Sequence, residues 1–177
     1  LDDDNSLTVT RERSFDPATV YGQSSATDNP LAERSQQHYE AFAYLRDTDL
    51  STLSRTSALL RTPDADVSGR IADELRELAG ILDGSHRHHG LKADLLLEGT
   101  QVLYWVTVGA LQARIAWSDL RPDRALGTHT GELNADTLSA MLRAEAAAWE
   151  AETDSASHTA PRYHATLALV GQAIQQG

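Results

Sequence analysis

Leu91-Lys92-Ala93-Asp94-Leu95-Leu96-Leu97-Glu98-Gly99-Thr100-Gln101-Val102-Leu103-Tyr104-Trp105-Val106-Thr107-Val108 is the stretch that decides the fold. Leu95, Leu96, Leu97, Val102, Leu103, Tyr104, Val106 and Val108, followed by Leu111 and Ile115, fall on every side of a helix with 3.6 residues per turn. A helix that is apolar all round is buried at the centre of its domain. The reading runs this one over about 91–119. Asp94, Glu98 and Gln101 interrupt it, so it is a buried helix of a globular domain and not a membrane span. Those three share one narrow arc with Trp105 and Val108, a polar stripe on an otherwise apolar rod.

Upstream, Val67, Ile71, Leu75, Leu78 and Leu82 repeat at three-four spacing, which predicts a helix capped by Asp64 or Asp66 and ended by Gly84. The turn Asp83-Gly84-Ser85-His86-Arg87-His88-His89-Gly90 is short, so the two helices return antiparallel. This hairpin, about 66–83 and 91–119, is the expected centre of an all-α antiparallel helical bundle. Asp28-Asn29-Pro30 starts a first helix that runs to about Thr48. A second begins near Asp49 or Ser51, carries Leu53, Leu59 and Leu60, and stops before Pro63. Arg121-Pro122-Asp123 breaks the chain. Asn134 caps a fifth helix to about Glu152, with Leu138, Met141, Leu142, Ala146 and Trp149 inward, and a last one covers about 162–175. Residues 29–177 then form one domain, and residues 1–28, poor in apolar side chains, an extended arm.

Composition narrows the function. The 177 residues carry a net charge of −11, which repels nucleic acid polymers. Without cysteine there is no disulfide and no thiolate metal site. The polar N-terminus does not read as a secretory signal, and the expected location is the cytoplasm.

Glu74 and Glu77, three apart, share a helical face beside the apolar stripe, on the row Arg70, Glu74, Glu77, Ile81. Antiparallel packing sets them against Asp94 and Glu98. Buried carboxylates need a partner or a metal, and oxygen donors in this arrangement suit Mg²⁺ or Mn²⁺. The competing reading is a structural network in which Arg70, Arg76 or Arg87 neutralises the acids.

Glu74-Leu75-Arg76-Glu77, twenty intervening residues, then Glu98-Gly99-Thr100-Gln101 and Val102-Leu103-Tyr104-Trp105 resembles the all-α nucleotide pyrophosphohydrolases, the MazG-like and phosphoribosyl-ATP pyrophosphatase group. The resemblance covers about residues 66–117. It implies Mg²⁺ held by Glu74, Glu77 and Glu98, and hydrolysis of a nucleoside triphosphate to monophosphate and pyrophosphate. The group's fourth acid is Gln101 here, a neutral and poorer ligand, and Asp94 one turn earlier is the candidate to replace its charge. Glu77 or Asp94 is the candidate general base. Arg70, Arg87 and Lys92 flank the hairpin and are candidates for the phosphates, with Trp105 a candidate base contact. The resemblance also implies a homo-oligomer, which the apolar fourth helix supports, and the alternative is a nucleotide-binding module without turnover. His86, His88 and His89 would suit Zn²⁺ or Ni²⁺ better than Mg²⁺, but three histidines in one turn read as a solvated loop.

Overall fold

The computed structural model describes residues 29–62, 65–127, 133–152 and 158–177; the expected arm over 1–28 lies outside the described residues. In chain order the helices are α1 (Pro30–Asp47), α2 (Arg55–Leu60), α3 (Val67–Asp83), α4 (Leu91–Gln112), a 3-10 turn (Trp117–Leu120), α5 (Pro122–Ala125), α6 (Ala135–Glu150) and α7 (Ala160–Ile174). The described residues contain no strand, and the fold is all-α. No helix among them is long and apolar enough to cross a membrane.

The caps are those the sequence signals. Asn29, Asp66 and Asn134 accept backbone N–H bonds from Ala32, Gly69 and Thr137. Each satisfies one of the donors that a helix start leaves open. Gly84 closes α3 in the left-handed region at φ 82°, where a Cβ would be strained.

The hairpin α3–α4 is the centre of the molecule. Its register is antiparallel: Val67 lies beside Gly109, Arg70 beside Trp105 and Glu77 beside Glu98. α3 also packs along α6, α4 along α7, and α1 crosses α4. The α3 stripe Val67, Ile71, Leu75, Leu78 and Leu82 is buried throughout, and Leu95, Val102, Val106 and Leu111 of α4 meet it in one core. Each such side chain contributes about 1.5–3 kcal/mol on burial, so this contact fixes the register.

Several expectations are corrected. α4 ends at Gln112 and not near 119, because Arg114 turns left-handed at φ 57° and the Ile115 N–H bonds back to the Ala110 carbonyl. Nor is α4 buried on every side: its C-terminal half is enclosed, but Leu96 and Leu97 are exposed near its start. Finally, Leu53 and Met141 face outward, and α2 begins only at Arg55 behind the Ser54 cap.

Candidate metal centre

The site lies at the loop end of the hairpin, and the loop is fastened at both ends. At the α3 end, the His86 N–H bonds the Gly80 carbonyl at 3.0 Å. A Cβ at Gly80 would stand 2.9 Å from the His86 Cβ, so glycine there lets the loop fold back onto the helix. Asp83 accepts from Arg143 at 2.6 Å, and from the Ser85 hydroxyl and N–H at 2.7 and 3.0 Å. These donors, Arg143 first, hold its carboxyl well below the usual carboxylate range. At the α4 end, Asp94 is almost wholly buried and accepts the backbone N–H groups of His88, His89 and Gly90 at 2.8–3.2 Å. His89 Nδ1 adds a further contact at 3.2 Å. The backbone donors, His88 first, hold its carboxyl below the ordinary value.

With the loop so fixed, His86 lies on the acids. Its Nε2 is 3.5 Å from a Glu77 oxygen. One donor atom each from Glu77, His86 and Glu98 lies within 4.8 Å of the other two. Glu98 is only 5% exposed. One of its oxygens accepts from the Gln101 amide at 2.5 Å. Burial, then the charge of Glu77, pushes its carboxyl up. Glu74, half-buried one turn before Glu77, is pushed up by burial and by the charges of Glu77 and Glu98, against a hydrogen bond from Trp105. Acids crowded together in a poorly solvated place are expected to shift in this direction.

Among the described residues no arginine pairs with these acids. Arg76 turns away to Asp73 and Glu150. Arg87 caps α3 by donating to the Ile81 and Leu82 carbonyls at 2.8 and 3.3 Å. The Arg70 guanidinium lies 5.8 Å over the Trp105 ring. Among the described residues, no lysine or arginine forms an ion pair with Glu74, Glu77 or Glu98. Two carboxylates and an imidazole, with a third carboxylate beside them, make a donor set that fits a divalent ion.

Of the residues singled out by sequence, Glu77 and Glu98 come together, whereas Glu74 stands one turn before Glu77, lines the adjoining cleft and is not part of that close group. Asp94 does not join them as ligand or base, because its oxygens are occupied by the loop. Gln101 enters through its amide nitrogen on Glu98, as a positioning group. Arg87 is engaged in capping, Lys92 stands exposed at the start of α4, and Arg70 and Trp105 flank Glu74. His86, which the sequence groups with His88 and His89 in a solvated loop, departs from that reading: it is half-buried against Glu77, while His88 and His89 are exposed. The signal available was Gly80, a residue with no side chain on the face that receives the loop.

A cleft of about 500 Å³ adjoins the acids, lined by His38, Glu74, Thr100, Gln101, Tyr104 and Trp105. Glu74 and Gln101 belong to both cleft and acid cluster, so the two are continuous. Burial pushes the pKa of the His38 imidazole down. Comparison with protein-family profiles, curated proteins and solved structures returned no match for this chain.

Proposed function

We propose that the hairpin is the metal centre of a divalent-ion-dependent nucleoside triphosphate pyrophosphohydrolase of the MazG-like type. The observation that carries the reading is the approach of Glu77 and Glu98 across α3 and α4, within 4.8 Å of each other and of His86, with Glu74 one turn before Glu77; among the described residues no arginine or lysine pairs with these acids. A purely structural network would have set Arg70, Arg76 or Arg87 against them; Arg70 lies over the Trp105 ring, Arg76 pairs with Asp73 and Glu150, and Arg87 donates to the Ile81 and Leu82 carbonyls.

In this reading Glu77 and Glu98 hold the ion, and the Gln101 amide fixes the orientation of Glu98. When bound, Mg²⁺ or Mn²⁺ supplies a polarised phosphoryl oxygen and a water of lowered pKa. Glu74, which lines the cleft one turn from Glu77 and is not part of the close ligand group, would be placed to take the proton of the attacking water. Asp94, considered for this role from sequence, keeps the loop in place instead. Tyr104 and Trp105 offer the nucleobase an aromatic wall in the cleft, and Arg70 faces the phosphates from the Trp105 ring. The exposed Leu96 and Leu97 give the chain an apolar face for a second copy, so the enzyme is a homodimer; a monodisperse monomer by light scattering at micromolar concentration overturns that part.

The test is incubation with a panel of nucleoside triphosphates and Mg²⁺ or Mn²⁺, with pyrophosphate measured. Release that stops in Glu98→Gln supports the reading. No release from any nucleotide, with a native circular dichroism spectrum, overturns it.

One observation favours a second reading, a module of the same fold that binds nucleotide without turnover. Gln101 stands where the resembling group has its fourth acid, and it occupies one Glu98 oxygen. Calorimetric binding of nucleotide without pyrophosphate release would favour this reading. A sharp gain of activity in Gln101→Asp would show that turnover had been lost at that position.

A further inference from the structure

We infer that His86 is itself a ligand of the metal, so that the centre Glu77–His86–Glu98 prefers a first-row transition ion, Mn²⁺ or Zn²⁺, over Mg²⁺. The inference rests on the metal-centre reading above and goes beyond it in ligand set and metal class.

Four observations carry it. His86 Nε2 is 3.5 Å from Glu77, and the three donor atoms lie within 4.8 Å of one another. Ligands around one ion at about 2.0–2.2 Å sit roughly 3–4 Å apart, so small side-chain movements close the site. Second, Glu98 is 95% buried by its 5% exposure, and only one of its oxygens accepts a hydrogen bond. Third, the placement of His86 is built: the Gly80 carbonyl holds its N–H, the missing Cβ at position 80 makes room for its own, and Asp83 and Asp94 clamp the loop on either side. Fourth, the neighbouring arginines of the described residues are engaged elsewhere: Arg70 over Trp105, Arg76 with Glu150, and Arg87 with the Ile81 carbonyl. Mg²⁺ takes oxygen ligands and releases water reluctantly, whereas an imidazole among carboxylates suits transition ions. His88 packs edge-on against His86 at 4.7 Å between ring centres, which limits the rotation of the His86 ring.

The experiment measures Mn²⁺, Zn²⁺ and Mg²⁺ binding by calorimetry to the whole chain and to His86→Gln, His88→Gln and Glu98→Gln. Bound Mn²⁺ is also examined by pulsed electron paramagnetic resonance for coupling to a ligand nitrogen. The expected result is Mn²⁺ binding at least about tenfold tighter than Mg²⁺. Nitrogen coupling is expected in the wild type and in His88→Gln. His86→Gln loses the coupling and about tenfold or more of the Mn²⁺ affinity while keeping its helical spectrum. Bound Mn²⁺ that depends on Glu98 but shows no nitrogen coupling, or keeps it in His86→Gln, overturns the inference and leaves the carboxylate centre standing. No binding of any ion to the folded wild type, or unchanged binding in Glu98→Gln, overturns the centre itself.

Discussion

Two pairs of carboxylates on one hairpin live in opposite environments. Asp83 and Asp94, at the ends of the 84–90 loop, are ringed by donors, and both are held below the usual carboxylate range. Glu74 and Glu98, deeper in the hairpin, face apolar side chains and other acids, and both are pushed above it. All four are acids near the same helix–helix seam. What separates them is the supply of donors: Arg143 and Ser85 reach Asp83 and the N–H groups of the loop reach Asp94, whereas the middle of a helix has no free N–H left to give. The acids that the fold satisfies are structural, and the acids it leaves crowded are the candidates for chemistry.

Glu98→Gln gives the largest expected effect on this contrast. Removing the charge of a ligand lowers pyrophosphate release by about 10²-fold or more, the scale of a lost acid-base or ligand group. The same change relieves crowding, so the metal-free protein melts about 2–4 °C higher, as roughly 1 kcal/mol gives in a chain of this size. Loss of activity joined to a gain in stability, read by assay and by thermal melting, would mark the residue as functional. A fall in melting temperature would place Glu98 with the structural acids.

Asp94→Ala should do the reverse. Three backbone N–H groups lose their acceptor, the loop loosens, and the melting temperature falls by several degrees with or without metal. Because the loop carries His86, Mn²⁺ affinity falls as well. An unchanged melting curve would break the assignment of Asp94 to the loop.

The two pairs also predict opposite pH dependences. Asp83 and Asp94 have folded pKa values below their unfolded ones, so their stabilisation is full above about pH 4 and is lost as pH falls through the lowered values. Glu74 and Glu98 have folded values above the unfolded ones. The folded state therefore binds more protons, and stability declines as pH rises from about 4.3 through the raised values. Melting temperatures of the metal-free protein between pH 3 and 8 should show both limbs. Glu98→Gln flattens the upper limb, and Asp94→Asn flattens the lower one.

The smallest effect belongs to Arg76→Ala. Its partners Asp73 and Glu150 are exposed, so the loss is about 0–1 kcal/mol, with metal binding unchanged. A change in metal affinity would return Arg76 to the acid cluster.

Much of the fold was legible because it rests on local rules. The α3 stripe, the caps at Asn29, Asp66 and Asn134, and the Gly84 stop each depend on residues within a few positions of one another. The end of α4 was not legible, since Arg114 takes a left-handed turn that no glycine or proline announces. Nor was the outward face at Leu96 and Leu97, because apolar residues all round a helix do not say which neighbours cover it. In the site, Glu74, Glu77 and Glu98 could be read from helical spacing. Asp94 could not be separated from them by spacing alone, although an acid in a first turn, close to open N–H groups, is the pattern of a structural residue. His86 had no periodicity to place it.

The sequence by itself determined the all-α hairpin and set Glu77 and Glu98 on facing stretches of it, because apolar period and antiparallel return follow from the chain's own geometry. Only the tertiary structure decided which acids keep donors and which do not, and that a loop histidine joins the glutamates. Those outcomes depend on contacts between Gly80 and His86, Asp83 and Arg143, and Arg76 and Glu150, pairs brought together by packing and not by spacing along the chain.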